Sequence, residues 1–380
     1  MDIGVGAMEF RDLKQQYQYH KNKIDAAVQS VIDNVDFING KQVKMLEHEL
    51  AVYVGVKHCI ACANGTDALQ LALMTWDIGK GDAVFVPDFT FFSSGEVVPL
   101  VGATPVFVDI DEDTYNISPH SLEKAIEYAR QNTDLKPRVV IAVDLFGLPA
   151  DFGMIRQIAD KYDLLILEDA AQGFGGRIGT KKACSFGDIA ITSFFPAKPL
   201  GCYGDGGAVF TDNDKWAELL RSYRVHGKGS DKYDNVRIGM NSRLDTIQAA
   251  VLLEKLKFFD DETEKCNCVA DEYTKLLRDT VKIPIVKDSM YSSWAQYTIC
   301  FQDDEKRKQA MTLLKESNIP TAVYYRKPMH QQEAFRDNAV RILDYSVTDK
   351  LCKRCLSLPM HPYLQTEEIK QITDIVRKIC

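Results

Sequence analysis

The stretch 164–176 reads LLILEDAAQGFGG, and after a short connection residues 189–210 read IAITSFFPAKPLGCYGDGGAVF. Leu164 to Leu167 is a short apolar run of the kind that lies buried on both faces of a sheet. It ends on Glu168 and Asp169, so it hands a carboxylate to the crevice at the carboxyl end of a parallel strand, where open α/β sheets bind ligands. Ile189 to Phe195 is a second apolar strand, followed by Lys198 and a loop carrying Gly201, Gly204, Gly206 and Gly207. An amine at a strand end beside such a loop loses hydration, which lowers its pKa and makes it a nucleophile toward carbonyls.

Working outward, Ala83 to Val86, Pro105 to Val108 and Val139 to Val143 repeat the strand texture, each bounded by Gly, Pro or Asp. Segments of helical length lie between them, including Pro119 to Arg130 and Asp151 to Tyr162. Lys41 to Tyr53 has the same character, with Val43, Leu46, Leu50 and Val54 at helical spacing ahead of Gly55. Strand and helix in alternation predict a doubly wound, mostly parallel α/β sheet. After Asn241 the texture changes. Leu244 to Leu277 reads as one extended helical stretch bridging two lobes. Gln296 to Phe301 then reads as a strand, Glu305 to Ser317 as a helix and Thr366 to Ile379 as a terminal helix. A chain of 380 residues exceeds the usual span of one core. The pattern divides it into a large α/β domain at 8–260 and a smaller C-terminal α+β domain at 261–380.

With 46 basic and 54 acidic residues the net charge is -8 and the pI near 5.5, which argues against a nucleic-acid or anionic-membrane partner. No apolar run approaches the roughly 18–20 residues of a membrane span. Met1 to Ala7 lack the basic flank and apolar stretch of an export signal, so the expectation is a cytoplasmic chain whose patterned part opens at Met8. Cys59 and Cys62, and Cys352 and Cys355, have the C-x-x-C spacing of zinc sites. The first pair lies in an apolar strand, however, where residues three apart face opposite sides. The ten cysteines are therefore expected as reduced core hydrophobes, with no metal.

An amine paired with an acid on a neighbouring strand is the arrangement that pyridoxal phosphate requires. The lysine holds the aldehyde as a Schiff base, and the carboxylate keeps the pyridine nitrogen protonated. The remaining parts of such a site can be sought. Asn64, Gly65 and Thr66 form a strand-to-helix turn suited to a phosphate. Ser193 offers a hydroxyl near the lysine, Phe91 a ring face for stacking, and Gln172 a partner for the ring's phenolic oxygen. Each residue alone has an ordinary reading as surface charge, turn or core; their common order and strand-end placement carries the argument.

The motifs EDAAQ at 168–172, SFFPAKPLGCYGDGGA at 193–208, NGTDAL at 64–69 and GMNSRLDTIQAA at 239–250 together resemble the DegT/StrS sugar aminotransferases, over essentially the whole chain from Met8. The resemblance implies a fold-type I pyridoxal phosphate enzyme that passes through pyridoxamine phosphate. It implies Lys198 as Schiff-base lysine and general acid/base, Asp169 at the pyridine nitrogen and Gln172 at the phenolic oxygen. Gly65, Thr66 and Ser193 would hold the phosphate, and Phe91 would take the stacking position. It further implies a homodimer whose sites are completed by the neighbouring subunit, Asn241 reaching the partner's cofactor phosphate and Arg243 the partner's substrate. MEFRDLKQQY at 8–17, FING at 37–40 and KPLG at 198–201 resemble a subgroup that uses glutamate to aminate the 3-keto form of UDP-N-acetylglucosaminuronic acid, a nucleotide sugar, for polysaccharide or O-antigen precursors. In that subgroup a His-Tyr pair reaches the sugar; here Tyr324 and Tyr325 stand there, followed by Arg326 where a proline is common.

Arg243 has the guanidinium fork that grips carboxylate or phosphate bidentately, with an ion pair to Asp245 as its structural alternative. His226, His330 and His361 carry no assignment. Three other readings compete. Sugar dehydratases share the scaffold, but those working without a Schiff base replace the lysine with histidine. A dTDP-linked 3-keto or 4-keto 6-deoxyhexose is an alternative acceptor. A non-catalytic regulator of the same fold would tolerate loss of Lys198 or Asp169.

Overall fold

The computed structural model describes residues 8–231, 233–341 and 344–380, so the reading of Met1 to Ala7 lies outside the described residues. The central sheet has seven strands: β1 (His58–Cys62), β2 (Asp82–Pro87), β3 (Thr104–Val108), β4 (Lys136–Val143), β5 (Leu165–Asp169), β6 (Ile189–Ser193) and β7 (Gly207–Thr211). Their order is β1-β7-β6-β5-β4-β2-β3. β7 is antiparallel to both its neighbours, and the other pairings are parallel. The sheet is thus the mostly parallel one the pattern predicts.

Side-chain alternation explains why both faces are apolar. In β4, Val139, Ile141 and Val143 enter one core cluster while Val140 and Ala142 enter another on the opposite face. The first face is covered by helices that include Gly65–Thr75 and Asp214–Tyr223, the second by Pro119–Asn132 and Phe152–Tyr162. β1 divides in the same way. Cys62 packs with the first cluster and Cys59 with residues of the helix Lys41–Val54, so the two thiols point apart, and both are free.

The predicted single helix over 244–277 is two helices, Thr246–Leu256 and Phe259–Leu277. The break has a packing cause. Ala249 and Leu252 face the core beside the central sheet, whereas Cys266, Val269, Ala270, Tyr273 and Leu277 face a separate C-terminal core. One straight rod cannot present both stripes, and the chain bends at Lys257 and Phe258, with Phe258 stacked on His20. β6 likewise stops at Ser193 rather than Phe195, because Phe194 already bonds back to Gly206 and accepts from Cys202 N. In the C-terminal part, β8 (Tyr297–Cys300) and β9 (Cys355–Leu358) form a two-stranded antiparallel sheet packed with helices Asp304–Glu316 and Thr366–Arg377.

Two tests follow from the packing. A Cβ on Gly207 would lie 2.5 Å from the carbonyl of Asn64, where β7 meets the turn into the next helix. Gly207→Ala is expected to lower the unfolding free energy in urea by about 1–3 kcal/mol. Gly153→Ala, whose Cβ meets nothing closer than 3.6 Å, should leave it unchanged or slightly raised. Burial pushes the His361 imidazole down from 6.5 to about 4. The unfolded chain then takes up the proton first, so this residue's contribution to stability is lost as pH falls from 6.5 toward 4. His361→Phe should flatten that part of the stability profile; an unchanged slope would show that the imidazole is not desolvated.

Candidate active site

Asp169 is the last residue of β5 and lies opposite Ile191 of β6, so the sheet itself sets the acid beside the segment that leads to Lys198. The side chain is buried, and burial raises its pKa. It is held down by Ser94 Oγ donating to Oδ2 at 2.8 Å, by Ala171 N donating to Oδ1 at 3.2 Å, and by the charge of Lys198. Thr90 hydroxyl contacts Ser94 Oγ at 3.1 Å, extending the network. Lys198 sits in a turn closed by its own N–H to Phe195 O. Desolvation lowers its amine below the ordinary lysine value; Asp169 opposes that shift and the Arg11 charge adds to it. Arg11 also donates to Lys198 O at 3.2 Å. The crevice therefore holds an amine biased toward its neutral, nucleophilic form and an acid kept in contact with donors.

The far end of the crevice is built from the turn before the helix Gly65–Thr75. Asn64 caps that helix by accepting from Asp67 N, and the amides of Gly65 and Thr66 carry no protein partner among the described residues. Gly65 is pressed against Ser193, where a Cβ would come within 2.9 Å of Ser193 Cβ. Its lack of a side chain is what lets the helix start meet the end of β6. Thr66 Oγ1 lies 2.7 Å from Ser93 Oγ. Unpaired amides at a helix N-terminus suit an anion, so this set fits pyridoxal phosphate at both ends: amides and hydroxyls for the phosphate, a buried acid for the pyridine nitrogen.

Gln172 is buried and already engaged, with Oε1 accepting from Phe146 N at 2.8 Å and Nε2 donating to Tyr325 Oη at 3.0 Å. One N–H remains for the ring's phenolic oxygen. Tyr325 thus joins the group from the C-terminal part of the chain, while Tyr324 turns its ring toward Phe10. Phe91 is 55% exposed, just ahead of the helix Ser93–Leu100 whose first turn carries Ser93 and Ser94.

Asn241 and Arg243 are not part of this gathering. Arg243 donates to Asn241 Oδ1 at 2.6 Å, and Asn241 is exposed. No ion pair joins Arg243 to Asp245 among the described residues. His330 is pinned by Asp88, to which its backbone N–H bonds at 2.7 Å and its Nδ1 at 2.6 Å, and His226 is a turn residue with φ of 58°. Sequence reasoning missed Ser94, Arg11 and Lys255. Lys255 is a second desolvated amine, pushed down to about 8 and donating to Gly201 O at 2.7 Å. Its place in a helix gave no cue of burial, and unlike Lys198 it does not face Asp169.

The aminotransferase family described as DegT/DnrJ/EryC1/StrS matches residues 18–377. The chain is 44% identical, over 96% of its length and 98% of the relative's, to the UDP-2-acetamido-2-deoxy-3-oxo-D-glucuronate aminotransferase of Pseudomonas aeruginosa. It superposes with a TM-score of 0.94 and 48% identity on a crystal structure of a DegT/DnrJ/EryC1/StrS aminotransferase from Brucella abortus, covering 98% of this chain and 99% of that one. NtdA of Bacillus subtilis, solved with its cofactor pyridoxamine phosphate bound, matches with a TM-score of 0.85 and 29% identity over 95% of this chain and 82% of that one. With the fold and these matches together, the chain belongs to the DegT/DnrJ/EryC1/StrS family and is a fold-type I, pyridoxal phosphate-dependent sugar aminotransferase.

Proposed function

We propose that the protein moves an amino group from L-glutamate to the 3-keto carbon of UDP-linked N-acetylglucosaminuronate, in cytoplasmic synthesis of polysaccharide or O-antigen precursors. The observation that carries this reading is the strand-end pairing of Asp169 with a desolvated Lys198 in a chain 44% identical to an enzyme named for that substrate.

Pyridoxal phosphate supplies an electron sink for the carbanion formed at the donor's α-carbon. The chain's own residues do the rest. Gly65 and Thr66 amides with the Ser193 hydroxyl bind the phosphate, Phe91 covers a ring face, and Gln172 orients the ring through its remaining N–H. Asp169, held by Ser94 and Ala171 N, keeps the pyridine nitrogen charged. Lys198 Nζ takes the proton from the donor's α-carbon and, for the keto sugar, returns one to the carbon that becomes aminated. Tyr324 and Tyr325 border the space where the sugar lies.

Asn241 and Arg243, hydrogen-bonded to each other, serve the site of a partner subunit in a homodimer. Exposed apolar side chains in the neighbouring segments support this: Ile238 is 90% exposed, Val236 53% and Ile38 50%, and Ile38 bridges to Asp245. Such a patch marks an interaction surface. In this reading 8–260 is the cofactor domain and 261–380 the lobe that brings Tyr324 and Tyr325.

Lys198→Ala should abolish both half-reactions, read as bleaching by glutamate and recovery with keto sugar; residual turnover with either would contradict the assignment. Arg243→Gln should weaken use of the acidic sugar. Mixing Lys198→Ala and Arg243→Gln subunits should restore up to roughly a quarter of the sites in a two-fold dimer, whereas sites built from one chain would show no recovery. In a panel of keto sugars the UDP-linked 3-keto uronate should turn over fastest; preference for a dTDP-linked 6-deoxy sugar would overturn the substrate.

A further inference from the structure

Directly behind Asp169 lies a feature with no part in the scheme above. Asp144, which follows β4, and Glu168, in β5, are both fully buried, and their carboxyls are within hydrogen-bond reach of one another. The titratable groups facing them are Asp169 and the Cys184 thiol, neither of them cationic. Two buried carboxylates in contact, without a cation, are prohibitive unless a proton is shared.

The donors around the pair say where that proton sits. Glu168 accepts three backbone N–H groups, from Cys184, from Phe186 at 2.6 Å and from Gly187 at 3.0 Å. Asp144 Oδ1 accepts one, from Ala150 at 3.0 Å, and its Oδ2 is buried and meets no N–H. Glu168 is therefore the ionised partner, and Asp144 Oδ2 is the atom left to carry a proton.

We propose that Asp144 holds a proton which it donates to Glu168, and that this one-proton carboxyl pair positions Asp169 and the turn that follows it. The links are short. Asp144 N donates to Asp169 O at 3.0 Å. Gly173 closes over the Asp144 side chain so tightly that a Cβ there would lie 2.4 Å from Asp144 Cβ. Two residues after Asp144, Phe146 N holds Gln172. Segment 168–173 is thus clamped by Asp144 on one side and by the 184–187 amides on the other. Burial and the neighbouring Glu168 carboxyl raise Asp144 well above the ordinary carboxylate range, and burial lifts Glu168 to about 7 against its amide donors.

The assignment of the proton is independent of the proposed substrate, and its link to function rests on Asp169 as the cofactor's acid. The folded chain keeps a proton that the unfolded chain releases near the ordinary aspartate value, so this pair makes stability fall as pH rises from there. Asp144→Asn keeps both a donor for Glu168 and an acceptor for Ala150 N. It should melt at or above the wild-type temperature at pH 7 and lose part of the wild-type decline in stability as pH rises from about 4 toward 7. Glu168→Gln points an amide at amides, and should melt several degrees lower and bind pyridoxal phosphate several-fold more weakly by visible titration. Where Glu168→Gln does not fold, infrared spectra decide: Asp144→Asn should remove the carbonyl band of a protonated carboxyl. A tolerated Glu168→Gln with a crippled Asp144→Asn would put the proton on Glu168 and overturn the proposal, as would a retained infrared band. Failure of the wild-type protein to bind pyridoxal phosphate, with the melting pattern intact, would count against the cofactor site alone.

Discussion

A carboxylate and an amine must be kept in one water-poor crevice, and most of this structure answers to that constraint. Removing a charge from water costs several kcal/mol, and the cost is met only by good partners. Asp169 has its partners because β5 and β6 are adjacent: Ser94 arrives from the first turn of the helix Ser93–Leu100 that follows β2, Ala171 N from the turn after β5, and Lys198 from the turn after β6. Each is delivered by the carboxyl end of a strand, so the sheet's topology fixes the chemistry.

The net charge of -8 gives little hint of how the chain handles anionic substrates. The sign is reversed locally, by amides at a helix start, by Lys198, and by Arg11 beside it. The glycines near the site act by absence. Gly65 and Gly207 leave room for Ser193 and for the Asn64 carbonyl, so the turn at the helix start sits against the end of β6.

Much of this was legible in the residues. Apolar runs marked β5, which ends in acid, and β6, which a short turn joins to Lys198, and the NGTDAL turn marked the helix start, because local patterns record which backbone is buried on two faces. The bend at Lys257 and Phe258 was hidden, since both halves of the 244–277 stretch keep a helical period and only the presence of two cores separates them. Ser94, Gln172 bound to Tyr325, and the Asp144–Glu168 contact join residues distant in sequence, and no local period records such pairs. Lys255 was illegible for the opposite reason: a lysine in an amphipathic helix reads as solvated, and here tertiary packing buries it.

That second buried amine sets up the most direct test of the central claim. Protein loaded with pyridoxal phosphate, reduced with borohydride and digested, should carry the cofactor's mass on the peptide containing Lys198 and on no other. Attachment at Lys255, whose amine is also desolvated, or no stable attachment at all, would contradict the account, because the pairing with Asp169 rather than burial alone is what makes Lys198 the reactive lysine.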